Sequence, residues 1–315
     1  MRKKFKPFFK WSGGKRREFD TLVKYLPDDY DVFYEPFLGG GAVWLGMACD
    51  KNVVGDLFGE VISFYRIIKE HGKDFIEDVN KFSDEYNKLI KGNVLGAYSN
   101  EIDKKNKELK LYKKGDPSYK KTKDEIKKLK ALARGEFKPC ADLYYEWRSK
   151  DPTTDYEIAK RFYILRCLSY GGMLRFNSSG KFNVPYGYYK SFKSLSWENG
   201  IEELLANTEF HCAEWQKTLQ NSKKNDFVFL DPPYTRKFQE YSAGNTFGKK
   251  EHIELAEWFK SKKSKAMIIL NKDDFTESLY GDFIVTEYPI TYSVKYRDRL
   301  TKKDASTMHF IAINY

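Results

Sequence analysis

Apolar positions along this 315-residue chain fall into two arrangements, and the arrangements divide it. In the first, short apolar runs stop abruptly at Gly, Pro or Asp, which reads as buried strands ending in turns. Asp31-Val32-Phe33-Tyr34 predicts a strand, Glu35-Pro36-Phe37-Leu38-Gly39-Gly40-Gly41 a glycine-rich turn, and Ala42 to Ala48 a helix. Asn52-Val53-Val54-Gly55 predicts a second strand that ends on Asp56. A helix from Glu60 to Lys69 follows, with Val61, Phe64, Ile67 and Ile68 on one face. This strand–turn–helix–strand–acid unit matches the first half of a doubly wound nucleotide-binding fold. After Ser191 the same style resumes. Strands are expected at Thr208–Cys212, Phe227–Leu230, Ala266–Leu270, Phe283–Thr286 and His309–Asn314, and helices at Glu251–Ser261 and Phe275–Leu279.

The second arrangement lies between. From Lys73 to Ser149 the chain is polar and helical, and residues 101–130 hold 12 lysines. A helical hairpin or a partly mobile arm is expected there, either contacting phosphates or forming a solvated, charge-laced surface. Asp155 to Leu168 reads as an amphipathic helix. With no internal repeat, the pattern predicts one α/β sheet domain, residues 1–70 and 191–315, split by an inserted helical domain at 71–190.

Composition narrows the partners. At 41 % hydrophobic residues the chain can bury an ordinary core. It has no run of about 18 apolar residues that would read as a membrane span, and its basic start lacks a signal peptide's apolar region. Cys49, Cys140, Cys167 and Cys212 lie far apart without a CxxC pair, which argues against zinc and disulfides and suits a reducing cytoplasm. A net charge of +11 with 17 % aromatics favours a polyanionic partner, with solubility alone as the plain alternative.

The chemistry concentrates at Asp231-Pro232-Pro233-Tyr234, directly after the run Phe227–Leu230. Ligands of open α/β sheets sit beyond the carboxyl ends of the strands. There a carboxylate can accept from an exocyclic NH2, the Pro232 carbonyl is held by its turn, and Tyr234 offers a stacking face. The plain alternative is a strand-ending Asp-Pro turn. A second segment, Tyr170 to Gly187, mixes glycines, aromatics, asparagines and basic residues. It suits nucleic-acid contact, or else a β-hairpin with a polar turn.

With four blocks in order, the chain resembles the Dam-type, D12-class DNA adenine-N6 methyltransferases. The blocks are Lys10-Trp11-Ser12-Gly13-Gly14-Lys15, Glu35–Gly41, Arg175-Phe176-Asn177 with Phe182–Gly187, and Asp231–Tyr234. The resemblance implies a Rossmann-like S-adenosylmethionine-dependent methyltransferase sheet with an inserted target-recognition domain. It implies S-adenosylmethionine as cofactor, with Asp56 on its ribose and Glu35, Gly39, Gly41 and Asp231 around it. Phe37 would cover its methionine portion and Trp11 would pack on it. Lys15 would pair with its carboxylate. Asp231, Pro232, Pro233 and Tyr234 would be catalytic. Tyr170, Met173, Arg175, Asn177, Asn183 and Pro185 would contact duplex DNA, with Arg175 reading a guanine and a site beginning GA, GATC foremost. The loop containing Tyr170 would enter the gap left by a flipped adenine. No metal and no membrane are expected. The enzyme would act as a monomer or weak dimer in a bacterial or phage-infected cell, with a cognate endonuclease as a partner the resemblance allows. The chain departs from the family at Gly171, where Asn is common, at Met173, where Leu is frequent, and in a lysine-rich insertion near 101–135.

Three competing readings remain: a cytosine-N4 or RNA methyltransferase, a decayed nucleic-acid-binding protein, and a dinucleotide-dependent oxidoreductase. The last is disfavoured because G-x-G-x-x-G is missing after the first strand.

Overall fold

The computed structural model describes residues 4–92, 97–234, 247–291 and 306–315. Seven strands form one sheet in the order β3-β2-β1-β4-β5-β7-β6. They are β1 (Phe33–Glu35), β2 (Asn52–Asp56), β3 (Thr208–Cys212), β4 (Phe227–Leu230), β5 (Lys265–Asn271), β6 (Ile284–Thr291) and β7 (Ser306–Ile313). The first five pair in parallel, and β7 runs antiparallel between β5 and β6. The helices are α1 (Phe19–Leu22), α2 (Ala42–Met47), α3 (Gly59–Gly92), α4 (Ala97–Leu109), α5 (Pro117–Glu136), α6 (Lys138–Ser149), α7 (Asp155–Leu168), α8 (Ile201–Ala206), α9 (Trp215–Thr218), α10 (Lys249–Lys260) and α11 (Asp274–Tyr280). None of the described helices is long and apolar enough to cross a membrane.

The central strands read as apolar runs because both their faces are covered. All four residues of β4 are buried, as are six of the seven in β5. The core on one face gathers Val228, Leu230, Ile268, Leu270 and Phe310 with Leu255 and Phe259 of α10. The edge strand β6 alternates half-buried and exposed positions, which is why its apolar signal is short and it continues past Thr286. Because β4 returns on the far side of β1 from β2, the chain reverses its winding between β1 and β4. That is where an α/β sheet opens a crevice at its carboxyl edge.

The chain forms two compact units. One holds residues 1–72, 174–183 and 197–315; the other holds 73–173 and 184–196. Gly72, at φ +53° and ψ −123°, interrupts α3 at the boundary, a conformation open to glycine. The segment Tyr170 to Gly187 is shared out: Leu174–Asn183 belongs with the sheet, while Tyr170–Met173 and Val184–Gly187 belong with the helices. In the helical unit, buried polar groups tie the chain together. Tyr144 Oη donates to the Val184 carbonyl at 2.8 Å, and the Asn80 amide exchanges two bonds with Leu195 at 2.8 and 3.0 Å. The helix α7 begins at a Thr154/Glu157 capping box. It is not amphipathic: Ala159, Phe162, Tyr163, Ile164, Leu165, Arg166 and Leu168 are buried around it. The lysine-rich stretch forms the helical pair α4 and α5, with Asp116 capping α5 through Ser118 N–H at 2.7 Å.

Candidate active site

At the carboxyl edge, β1, β2 and β4 each end on or next to an acid: Glu35, Asp56 and Asp231. Each has a local structural reason. Glu35 is buried and its Oε2 accepts the Trp44 N–H at 2.7 Å. Trp44 lies in the first turn of α2, whose amides lack partners within the helix and carry its positive dipole end. Asp56 Oδ2 accepts the Gly39 N–H at 2.8 Å and Oδ1 the Phe58 N–H at 2.9 Å. It therefore closes the glycine loop against the end of β2. Asp231 begins where Pro232, without an N–H, ends the β4 ladder.

The three carboxyls share a desolvated region. Burial lifts all three pKa values, that of Glu35 well above the carboxylate range. The charges of Asp231 and Asp56 lift Glu35 further. Lys15 supplies the opposing charge. It is buried, and its Nζ lies 2.7 Å from Asp231 Oδ2 and 2.7 Å from the Gly13 carbonyl. Lys15 is expected from the sequence at a cofactor carboxylate; here it faces Asp231. A buried ammonium needs a counter-charge, and Asp231 provides it. Asp231 keeps 20 % of its side-chain surface exposed.

Above the glycine loop lies Trp11. A Cβ on Gly39, at φ +49°, would fall 2.6 Å from the Trp11 Nε1, and one on Gly40 would fall 2.6 Å from the Trp11 Cβ. Glycine here makes room for the indole. Gly41, at φ +66°, starts α2, and Tyr65 Oη donates to the Gly40 carbonyl at 2.9 Å. Trp11 also meets Phe9 and Phe58, at 6.0 and 6.1 Å between ring centroids. Phe37 meets Phe247 edge-on at 5.5 Å.

Around Tyr234 the structure adds residues that the sequence pattern does not single out. His252 Nε2 lies 3.0 Å from the Pro233 carbonyl. His309 meets the Tyr234 ring at 5.4 Å and bonds Glu18 Oε2 through Nδ1 at 2.8 Å. For His252 a signal existed, a histidine on the apolar stripe of a helix with Leu255, Ala256 and Phe259. Glu18 and His309 are 291 residues apart, and no spacing could join them.

Of the expected DNA-reading residues, Arg175, Asn177 and Asn183 lie with the sheet unit. Arg175 Nε donates to Asn183 Oδ1 at 2.7 Å and its Nη2 to the Asn183 carbonyl at 3.3 Å. Asn177 Oδ1 accepts from Ser179 N–H, Ser179 Oγ and Lys181 N–H at 3.1, 3.1 and 2.9 Å. It builds the turn that carries the others. Tyr170, Met173 and Pro185 lie with the helical unit. There Tyr170 and Pro185 are exposed, and the Tyr170 N–H donates to the Pro185 carbonyl at 2.8 Å. Among the described residues no group of three or more His, Cys, Asp or Glu is placed to hold a metal ion.

Comparison with known proteins agrees over nearly the whole chain. The family described as "D12 class N6 adenine-specific DNA methyltransferase" matches residues 11–294. The chain is 30 % identical to the Type II methyltransferase M.CviBI of Paramecium bursaria Chlorella virus NC1A, over 98 % of this chain and all of that one. It is 27 % identical to the DNA adenine methylase of Haemophilus influenzae, over 88 % of this chain and 84 % of the relative. With the DNA adenine methylase of Escherichia coli K12 it shares 25 % over 81 % and 76 %.

Proposed function

Because this chain belongs to the D12 class of N6 adenine-specific DNA methyltransferases and so methylates adenine in DNA, we propose how its residues divide that work. The observation that carries the proposal is the gathering of Glu35, Asp56 and Asp231, all desolvated, at one edge of the sheet, with a buried ammonium, Lys15, paired to Asp231. Such a region suits a cationic ligand, and the family's methyl donor, S-adenosylmethionine, is a sulfonium. When bound, it supplies an electrophilic methyl group.

Asp56 would take the ribose hydroxyls. A carboxylate offers about four acceptor positions, so the bonds to Gly39 and Phe58 do not exhaust it. Trp11, over Gly39 and Gly40, and Phe37 would enclose the ligand, with Glu35 and Gly41 completing the cradle. Lys15 would hold the Asp231 carboxylate in place.

The target nitrogen is a poor nucleophile because its lone pair is delocalised into the base. Asp231 and the Pro232 carbonyl accept its two hydrogens, which favours a pyramidal nitrogen. As positive charge develops on nitrogen the fixed carboxylate stabilises it, and Asp231 then takes the released proton. Tyr234 stacks on the base, with Pro233 setting its approach. A paired adenine cannot reach this site, so the base is flipped out of duplex DNA, and the loop containing Tyr170 would insert into the gap.

The segment 71–190, with its lysine-rich stretch, would be the target-recognition domain. Arg175, pre-aimed by Asn183, would pair with O6 and N7 of a guanine. Met173 and Pro185 would touch the later bases. The site would begin GA, with GATC foremost, and the reaction would take place in the cytoplasm of a bacterial or phage-infected cell. Base-resolution sequencing of DNA from expressing cells tests this. The expected result is N6-methyladenine next to guanine. A methylated motif without that guanine would overturn the recognition reading, and unmodified DNA would overturn the catalytic one.

A further inference from the structure

Two of the chain's four histidines meet the Asp231–Tyr234 turn, His252 at the Pro233 carbonyl and His309 at the Tyr234 ring. His252 is wholly buried on α10. A carbonyl only accepts, so the Nε2 facing Pro233 O carries the ring proton. Among the described residues its buried Nδ1 has no hydrogen-bond partner. Burial holds the His252 pKa down, which keeps the ring neutral. An orphaned acceptor costs stability that an apolar residue would not, and what this histidine gains in exchange is one bond to the turn. That bond fixes the peptide plane joining Pro233 to Tyr234. Phe247 packs edge-on against the imidazole at 4.8 Å and limits its rotation.

His309 acts on the other end of Tyr234. It is 1 % exposed, on β7. Its Nδ1 and the Tyr288 hydroxyl both lie 2.8 Å from Glu18 Oε2. Burial alone would raise the Glu18 pKa, but these donors and the nearby Lys15 charge hold it below the usual value, so Glu18 is an ionised anchor. The anchored imidazole meets the Tyr234 ring at 78°, an edge-to-face contact.

We propose that His252 and the Glu18–His309 pair are positioning residues that together set the Tyr234 ring as the surface on which the target adenine rests. His252 acts through the peptide before Tyr234 and His309 through the ring. Neither histidine touches the base, and the inference rests on the reading of Tyr234 as the stacking face.

The test is single-turnover methylation of a duplex carrying its methylation motif, with cofactor and DNA affinities measured alongside. His252→Ala and His309→Ala should each slow methyl transfer by about tenfold to a hundredfold, the scale of a misplaced reacting partner. Both affinities should stay within about threefold, the pattern of a contact that matters mainly in the transition state. His252→Gln, which offers a donor where Nε2 stood, and His309→Asn, which offers one where Nδ1 stood, should restore most of the rate. Should an alanine variant fail to fold, His252→Asn replaces it, since its shorter amide misses Pro233. In a Tyr234→Ala background, itself slow, the histidine changes should add less than about twofold, because they act through the missing ring. Equal losses in both backgrounds, or full rate without either histidine, would overturn the proposal. A Tyr234→Ala enzyme with full rate would overturn the stacking role of Tyr234, and the positioning role with it.

Discussion

The carboxyl edge of the sheet and the lysine-rich pair α4–α5 carry charge in opposite ways. At the sheet edge, Glu35, Asp56, Asp231 and Lys15 are desolvated, and each meets a specific partner at 2.7–2.9 Å. Along 101–130 every lysine but Lys105 is exposed. Lys105 alone among them is half-buried, paired with Glu125 at 2.7 Å and Glu108 at 3.1 Å. Coulomb energies in a dry site are several-fold those at a wetted surface. Exposed pairs are worth about 0–1 kcal/mol and are screened by salt. The first region therefore works through individual geometry and the second through summed charge. Substitutions should report that difference.

The largest effect belongs at the sheet edge. Asp231→Ala should cut methyl transfer by about 10²–10³ or more, the usual consequence of losing one group that stabilises developing charge. DNA affinity should hold, because the acceptor acts mainly in the transition state. Activity within tenfold of the parent, an order of magnitude short of that cost, would show that the dense electrostatics of this region serve the fold rather than the reaction.

Asp56→Ala comes next, measured as cofactor affinity by calorimetry. Charge-assisted bonds to two ribose hydroxyls are worth about 1.5–3 kcal/mol each. The same carboxylate ties Gly39 and Phe58, so thermal stability should fall as well. A lower melting temperature with an unchanged dissociation constant would make Asp56 a strand-end cap alone.

These two residues were legible in the sequence for a physical reason. A parallel strand buried on both faces is an apolar run with a sharp end, so Phe227–Leu230 is placed to the residue and Asp231 beyond it stands out, while the edge strand Thr208–Cys212, which alternates buried and exposed positions at its start, also has the expected bounds. Half-buried edges carry a weaker signal, and β6 runs five residues past the expected Thr286, to Thr291. The helix α7 has the right bounds but the wrong face pattern, since a helix buried around its circumference loses the 3.6-residue contrast. What sequence spacing could not show is partnership across the fold. Lys15 with Asp231, and Glu18 with His309, meet only once the sheet has formed.

Arg175 occupies middle ground, exposed like the lysines yet held in one geometry by Asn183 like the acids. Arg175→Ala should cost about 1–3 kcal/mol of discrimination at the guanine while sparing non-specific binding. Asn183→Ala should weaken discrimination in the same direction, because the guanidinium loses its alignment. The methylated motifs of parent and variants on genomic DNA are the measurement. A parent motif that Arg175→Ala leaves unchanged would move this residue to the side of summed charge.

The smallest effect per residue should come from the lysine pair. Each exposed ammonium on α4 or α5 contributes only when it displaces counterions from DNA, and an ammonium–phosphate pair carries no sequence information. Neutralising Lys120, Lys121, Lys123, Lys127 and Lys128 should therefore weaken binding to cognate and unrelated duplexes alike and leave the methylated motif unchanged. Every phosphate that is no longer neutralised should flatten the log–log salt dependence by about 0.9. No single substitution among the five should stand out, since none of these side chains is buried. An unaltered slope would assign the pair to solvated surface, with Lys105 and its two glutamates joining the helices. Weakening confined to one sequence would be more disruptive, because it would place base-reading geometry in a region whose charge is otherwise read only as a sum.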